Sequence, residues 1–186
     1  MKIFISIALT AIFLLLDLLA GNLALFPALS VYCAIVLLLA YGWSYGIIAA
    51  LTGGIVLDVM YGHSFAVLGV LFALVTAAAG AIAIRGSRQL PGIFAGGCCA
   101  GLLVSVTTAV MCRAANGTLP GPDVSSYIVF STGGGGIALI LQVCLFDFFA
   151  ARANLPRCIK NTYNEPEHRK NLAMRHKMKN SSRRRK

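Results

Sequence analysis

Six apolar runs, separated by short polar or glycine-bearing joints, account for nearly all of residues 1–150. They lie at roughly 3–20, 24–41, 44–60, 65–84, 93–112 and 127–150. About 20 apolar residues, at 1.5 Å rise per residue, make a helix long enough to cross the ~30 Å hydrocarbon core of a bilayer. A helix satisfies its backbone groups within one segment, which hydrocarbon demands. Alternation at period two, the mark of a membrane β-barrel, is absent. The pattern predicts an all-α integral membrane protein built as a six-transmembrane-helix bundle.

The joints are rich in turn formers. Gly21 and Asn22 separate the first two runs, and Gly42 and Trp43 the next two. Residues 61–64 close a hairpin, and residues 85–92 (RGSRQLPG) join the fourth run to the fifth. Residues 114–126 carry Asn116, Gly117, Pro120 and Pro122, so an exposed coil is expected there. The first run is read as a span rather than a cleaved leader. Asp17 interrupts its apolar core, and Leu18 fits poorly three positions before a cut after Ala20.

Composition agrees with the pattern. The class AVILMFWYC makes up 58% of the chain and charged residues 12%, with a mean hydropathy of +0.80. That leaves too little polar surface to coat a water-soluble globule, and a soluble enzyme is excluded on this ground. Charge then divides the chain in two. Residues 1–150 carry Lys2, Arg85, Arg88 and Arg113 against Asp17, Asp58, Asp123 and Asp147, a net charge of zero. Residues 151–186 carry twelve Lys and Arg against Glu165 and Glu167, the whole net charge of +10. Two parts are therefore expected: a transmembrane domain over 1–150 and a basic, mostly disordered tail over 151–186. With six spans, Lys2, the Arg85/Arg88 joint and the tail fall on one side and only Arg113, near Asp123, on the other, so the positive-inside rule puts both termini in the cytoplasm.

Small residues recur four apart in three runs. The third has Gly42, Gly46, Ala50, Gly54, Asp58 and Gly62; the fourth has Gly69, Ala73, Ala77 and Ala81; the fifth has Gly97, Gly101, Ser105 and Ala109. Such stripes let helix backbones approach closely, and they predict a tight bundle centred on the third, fourth and fifth helices. Gly133, Gly134, Gly135 and Gly136 interrupt the sixth run, where close packing by another backbone is expected more than a hinge.

Candidate chemistry is sparse. Asp17, Asp58 and Asp147 lie near span ends, within reach of headgroups or water; an Asp at a helix centre would cost roughly 2.5–3.5 kcal/mol. Asp58 is also expected to act as an internal polar anchor, capping the turn at 61–64. With His63 it makes too thin a set for a proton relay. The cysteines lie mostly in apolar runs with no C-x-x-C pair, and read as small buried hydrophobes rather than disulfide or metal ligands. No nucleophile elbow, zinc motif or phosphate loop occurs, so neither catalysis nor a cofactor is expected. In the tail, Arg152, Arg157 and Lys160 are expected to hold anionic lipid. Lys177, Lys179, Arg183, Arg184, Arg185 and Lys186 are suited to lipid or an acidic protein partner, rather than nucleic acid.

The stretch 26–74, FPALSVYCAIVLLLAYGWSYGIIAALTGGIVLDVMYGHSFAVLGVLFAL, resembles the bacterial rod shape-determining protein family MreD. Pro27 opens the second span. A glycine-punctuated third span runs through Gly42, Gly46, Gly53 and Gly54 to Asp58. Gly62 turns the chain, and Leu68-Gly69 enters an aliphatic fourth span. The long basic tail and the four consecutive glycines depart from the family pattern. The resemblance implies a non-enzymatic subunit of the cell-elongation machinery in the bacterial inner membrane. Such a subunit binds MreC, alongside MreB, RodA and a penicillin-binding transpeptidase, and supports lateral peptidoglycan synthesis. It also implies a fold similar to the substrate-binding subunits of energy-coupling-factor transporters. A small-molecule transport component is thus the alternative, although the Ala-x-x-x-Ala docking motif of those subunits is missing from the first run.

Overall fold

A computed structural model describes residues 4, 7–12, 15–16, 29–60, 67–116, 124–152 and 155–159. All regular structure among them is helical. The described parts of the first run are helical, and Leu9 packs against the core. Five helices follow: α1 Leu29–Tyr41, α2 Trp43–Met60, α3 Val67–Arg85, α4 Leu90–Asn116 and α5 Val124–Arg152. Four of them, α2 to α5, are long and apolar enough to cross a membrane. The chain is a multi-pass α-helical membrane protein.

The centre of the bundle is α1, not the third, fourth and fifth runs as the small-residue stripes suggested. All residues from 30 to 39 are buried. At 13 residues α1 is about 20 Å long, shorter than the ~30 Å hydrocarbon core. It is apolar on every side, the property of a helix surrounded by protein. Its neighbours supply the gaps. Leu38 fills the space left by two missing side chains, at Gly46 of α2 and Gly80 of α3. The Tyr32 hydroxyl lies against Gly135 of α5. Large side chains on the central helix thus enter glycine gaps on the outer ones.

The stripes themselves divide between neighbours. On a helix with 3.6 residues per turn, a four-residue repeat drifts by about 40° per step. Gly46 accordingly faces α1, while Gly54, two steps on, faces Gly69 of α3. In α3 the same drift carries Ala73, Ala77 and Ala81 to the half-buried edge. Of the stripe only Gly69 is buried, and the rest of the buried face of α3 is Phe72, Val75, Thr76, Ala79, Gly80 and Ala83. Gly42 is not a packing residue: a side chain there would meet nothing within 4 Å. It separates α1 from α2 at φ +108°, where its N–H caps the Leu38 carbonyl at 3.0 Å.

Antiparallel α4 and α5 pack backbone to backbone. Gly97 lies against Gly135 and Gly136, and Gly101 against Ser131 and Thr132. The Ser131 hydroxyl donates to the Gly101 carbonyl at 3.1 Å. α5 runs unbroken through its four glycines. Gly135 and Gly136 make the close approach, and Gly133 and Gly134 face open space.

Three boundaries differ from expectation, the first being the start of α5 at Val124, inside the stretch 114–126 expected as coil. α4 begins at Leu90 with Pro91 in its first turn, where a missing N–H costs no helical bond, and Gln89 accepts the first one from Ile93 at 3.0 Å. At its other end α4 continues to Asn116, which the turn-former reading had put in coil.

Candidate functional site

Two buried or half-buried carboxylates hold the joints of this bundle. Asp58 sits at the end of α2 and is 2% exposed. Its Oδ2 accepts from the backbone N–H of Leu68 at 2.8 Å and of Gly69 at 3.4 Å. These N–H groups belong to the first turn of α3, which has no intrahelical acceptor for them. A carboxylate there also meets the positive end of the helix dipole. Asp58 thus anchors the next helix; the turn at 61–64, where the cap was expected, lies outside the described residues. Gly54, one turn earlier, lets the backbones of α2 and α3 meet at Gly69. Asp58 and Gly54 therefore clamp the same two residues, Leu68 and Gly69.

Asp147 forms the second joint. Its Oδ1 accepts from the Cys158 N–H at 2.6 Å and its Oδ2 from the Ile159 N–H at 3.0 Å. The Leu155 N–H reaches back to the Ala150 carbonyl at 2.9 Å. The chain therefore folds back after α5 and packs onto the core. Cys158 is 0% exposed, and its Sγ lies 3.6 Å from the Val36 carbonyl oxygen of α1. Burial, and then the Asp147 carboxylate beside it, push the Cys158 thiol far above the ordinary range, against a smaller opposing pull from Arg88.

The order in the chain hides this clasp, since Asp147 and Cys158 read separately as a helix-end acid and a tail cysteine. The signal available was the cluster Leu155, Cys158 and Ile159, apolar residues in an otherwise polar segment. The described bundle accordingly runs on to Ile159, past the expected boundary at 150.

Four described basic residues, Arg85, Arg88, Arg152 and Arg157, share one end of the bundle, while Arg113 lies toward the far end of α4. α3 ends at Arg85, Arg88 follows in the turn, and α5 ends at Arg152. α4 leaves from that turn and α5 runs antiparallel to α4, so the turn and the end of α5 fall at the same end. The Arg152 guanidinium lies 4.4 Å from the Phe148 ring centroid, a cation–π contact at the end of the span. Arg157 is exposed.

Of the remaining expected positions, Ala50 is buried at 1%. Gly62, Lys160, Lys177, Lys179, Arg183, Arg184, Arg185 and Lys186 lie outside the described residues, as do Asp17, His63 and Asp123. Among the described residues no group of three or more His, Cys, Asp or Glu is placed to hold a metal ion. Thr52, Ser105, Thr107, Thr108 and Thr132 each bond a carbonyl three or four residues back, which satisfies their hydroxyls inside the spans.

These arrangements brace helices. No protein-family model, curated protein or solved structure matches the chain. Fold and joints together define its class, a multi-pass helical membrane protein with braced hairpins.

Proposed function

We propose that this chain is a non-catalytic scaffold subunit of the bacterial cell-elongation machinery, of the MreD type. The observation that carries the reading is the α2–α3 hairpin. Gly54, Asp58, Leu68 and Gly69, which the geometry binds into one joint, all belong to the stretch 26–74 that resembles the family. A rigid hairpin suits a protein whose task is to present a fixed surface to partners rather than to turn over a substrate.

In this reading the first run and α1 complete six spans, arranged as in the substrate-binding subunits of energy-coupling-factor transporters. The protein sits in the bacterial inner membrane. Both termini face the cytoplasm, which places Arg85, Arg88, Arg152 and the basic tail against anionic headgroups. The partner is MreC, in company with MreB, RodA and a penicillin-binding transpeptidase. The role is support of rod shape and of lateral peptidoglycan synthesis.

The test is affinity capture of the full chain from its native membrane in mild detergent, with mass spectrometry of the co-purifying proteins. Recovery of MreC with wall-elongation enzymes supports the scaffold reading. Recovery of a pair of ATPases with a coupling membrane protein overturns it in favour of a transport subunit.

A further inference from the structure

A cavity of about 270 Å³ opens beside α5, between that helix, α1 and the described part of the first run. Leu9 and Ile12 of the first run, Val36 of α1, and Leu145 and Phe149 of α5 form its walls, and Leu155 lies in the segment that folds back. Its surface is almost wholly apolar. The polar side chain in the wall, Gln142, donates through Nε2 to the Leu29 carbonyl at 3.5 Å, and its Oε1 is buried without a hydrogen-bond partner. Water, which needs two to four polar partners, finds almost no polar surface in such a space. An empty recess would forfeit the dispersion contacts of every atom lining it.

The cavity adjoins the outer surface of a membrane-spanning helix. Leu141, Leu145, Phe148 and Phe149 of α5 are all more than half exposed, which in a span means exposed to lipid. Hydrocarbon is therefore the material at hand. The neighbouring charge says which lipid. Phe149 and Leu145 line the cavity, and the exposed Arg152 stands three and seven residues beyond them, on the same side of α5; the exposed Arg157 follows two residues after Leu155, which also lines it. Arg152 is already stacked over Phe148. Guanidinium groups pair with phosphate through two parallel hydrogen bonds.

We infer that the cavity holds one acyl chain of an anionic phospholipid whose headgroup is bound by Arg152 and Arg157. The lipid would wedge the first run against α1 and α5, so that the bundle senses the charge of the leaflet at its basic end. This site is separate from the α2–α3 hairpin and does not depend on the identity of any protein partner.

The full chain is reconstituted in vesicles of equal phosphatidylglycerol and phosphatidylcholine with matched acyl chains. It is then extracted in mild detergent and weighed by native mass spectrometry. The expected result is one retained lipid per chain, with phosphatidylglycerol favoured about thirtyfold, as two surface arginines would give. Arg152→Gln with Arg157→Gln keeps one lipid and loses the preference. Leu145→Trp, at a half-exposed position, fills the cavity and loses the lipid. The rest of the basic tail is present in every sample, so its general attraction to anionic lipid is constant. A wild-type protein that retains no lipid, or both lipids equally, overturns the inference whether or not the variants fold. A folded Leu145→Trp that retains phosphatidylglycerol like the wild type overturns it too, and an undiminished preference in the double arginine variant removes the headgroup assignment.

Discussion

The Asp58 carboxylate and the backbone N–H of Leu68 are joined across the α2–α3 hairpin by a 2.8 Å hydrogen bond, and the same oxygen receives Gly69. Ten residues of chain separate acceptor and donor, so this bond ties the end of one span to the start of the next. Asp58→Ala removes the acceptor and leaves buried N–H groups without a partner, at a cost of about 1–3 kcal/mol. Asp58→Asn keeps a neutral acceptor of the same shape and loses roughly half as much. Thermal unfolding in detergent should rank wild type above Asn above Ala. Equal melting of all three would mean that the hairpin is held by packing alone.

Gly54 and Gly134 make a matched pair of tests, because both are helical glycines with opposite surroundings. A Cβ on Gly54 would meet the Gly69 backbone N at 2.5 Å and the Leu68 carbonyl carbon at 2.6 Å. Backbone cannot step aside as a side-chain tip does, so Gly54→Ala forces α2 and α3 apart and lowers the melting temperature; Gly54→Leu does so more. A Cβ on Gly134 would meet nothing within 4 Å. There Ala brings only its better helix propensity, up to about 1 kcal/mol. Gly134→Ala should therefore melt no lower than wild type. A reversal of the two signs in a melting series would dispose of the close-approach account.

What was legible beforehand follows from period and composition. The apolar runs marked α2, α3, α4 and α5 to within a few residues, because a span must be long and continuous. The central place of α1 was not legible. Its run looks like any other span, and only the glycines at 46, 80 and 135, far apart in the chain, receive its Leu38 and Tyr32. Small-residue spacing revealed that helices approach closely, yet the drift of a four-residue repeat around the helix decides which neighbour each glycine meets. Asp58 stood out because an acid in an apolar run must find a donor. Asp147 found its donors in a segment composition had assigned to the tail, since eleven residues separate it from Cys158.

The turn between α3 and α4 carries a backbone cost that a single substitution can relieve. Ser87 has φ 60° and Arg88 φ 55°. The Arg88 N–H reaches the Ala83 carbonyl at 3.1 Å, and the Ser87 N–H reaches the Ile84 carbonyl at 3.0 Å. This is the paired bonding of a Schellman helix end, whose left-handed position, here Ser87, usually belongs to glycine. A left-handed L-residue costs roughly 1–2 kcal/mol, partly offset in Ser87→Gly by the larger entropy of the unfolded glycine. Ser87→Gly should raise the melting temperature by a few degrees. A lower melting temperature would show that the Ser87 side chain contributes more than its backbone strain.

The Cys158 clasp should make stability depend on alkaline pH. An ordinary thiol titrates at 9.0, and burial followed by the Asp147 carboxylate raises Cys158 well above that value in the folded protein. The unfolded chain therefore gives up its proton first as pH rises. Above that point the folded state binds more protons than the unfolded state, and stability falls with increasing pH. The contribution is fully present below about pH 8 and is lost progressively above about pH 9, with a limiting slope near 1.4 kcal/mol per pH unit. Cys158→Ala lacks the titrating group but keeps the backbone N–H that Asp147 accepts. The melting difference between wild type and Cys158→Ala should then be flat from about pH 6 to about pH 8 and should shrink toward about pH 10. Asp147→Ala removes both the two acceptors and the charge beside the thiol. It should lower stability at neutral pH, by about 1–3 kcal/mol, and start the alkaline decline from a less elevated thiol. A wild-type and Cys158→Ala difference that stays constant through about pH 10 would mean that the thiol is open to solvent and that residues 155–159 do not rest on α1.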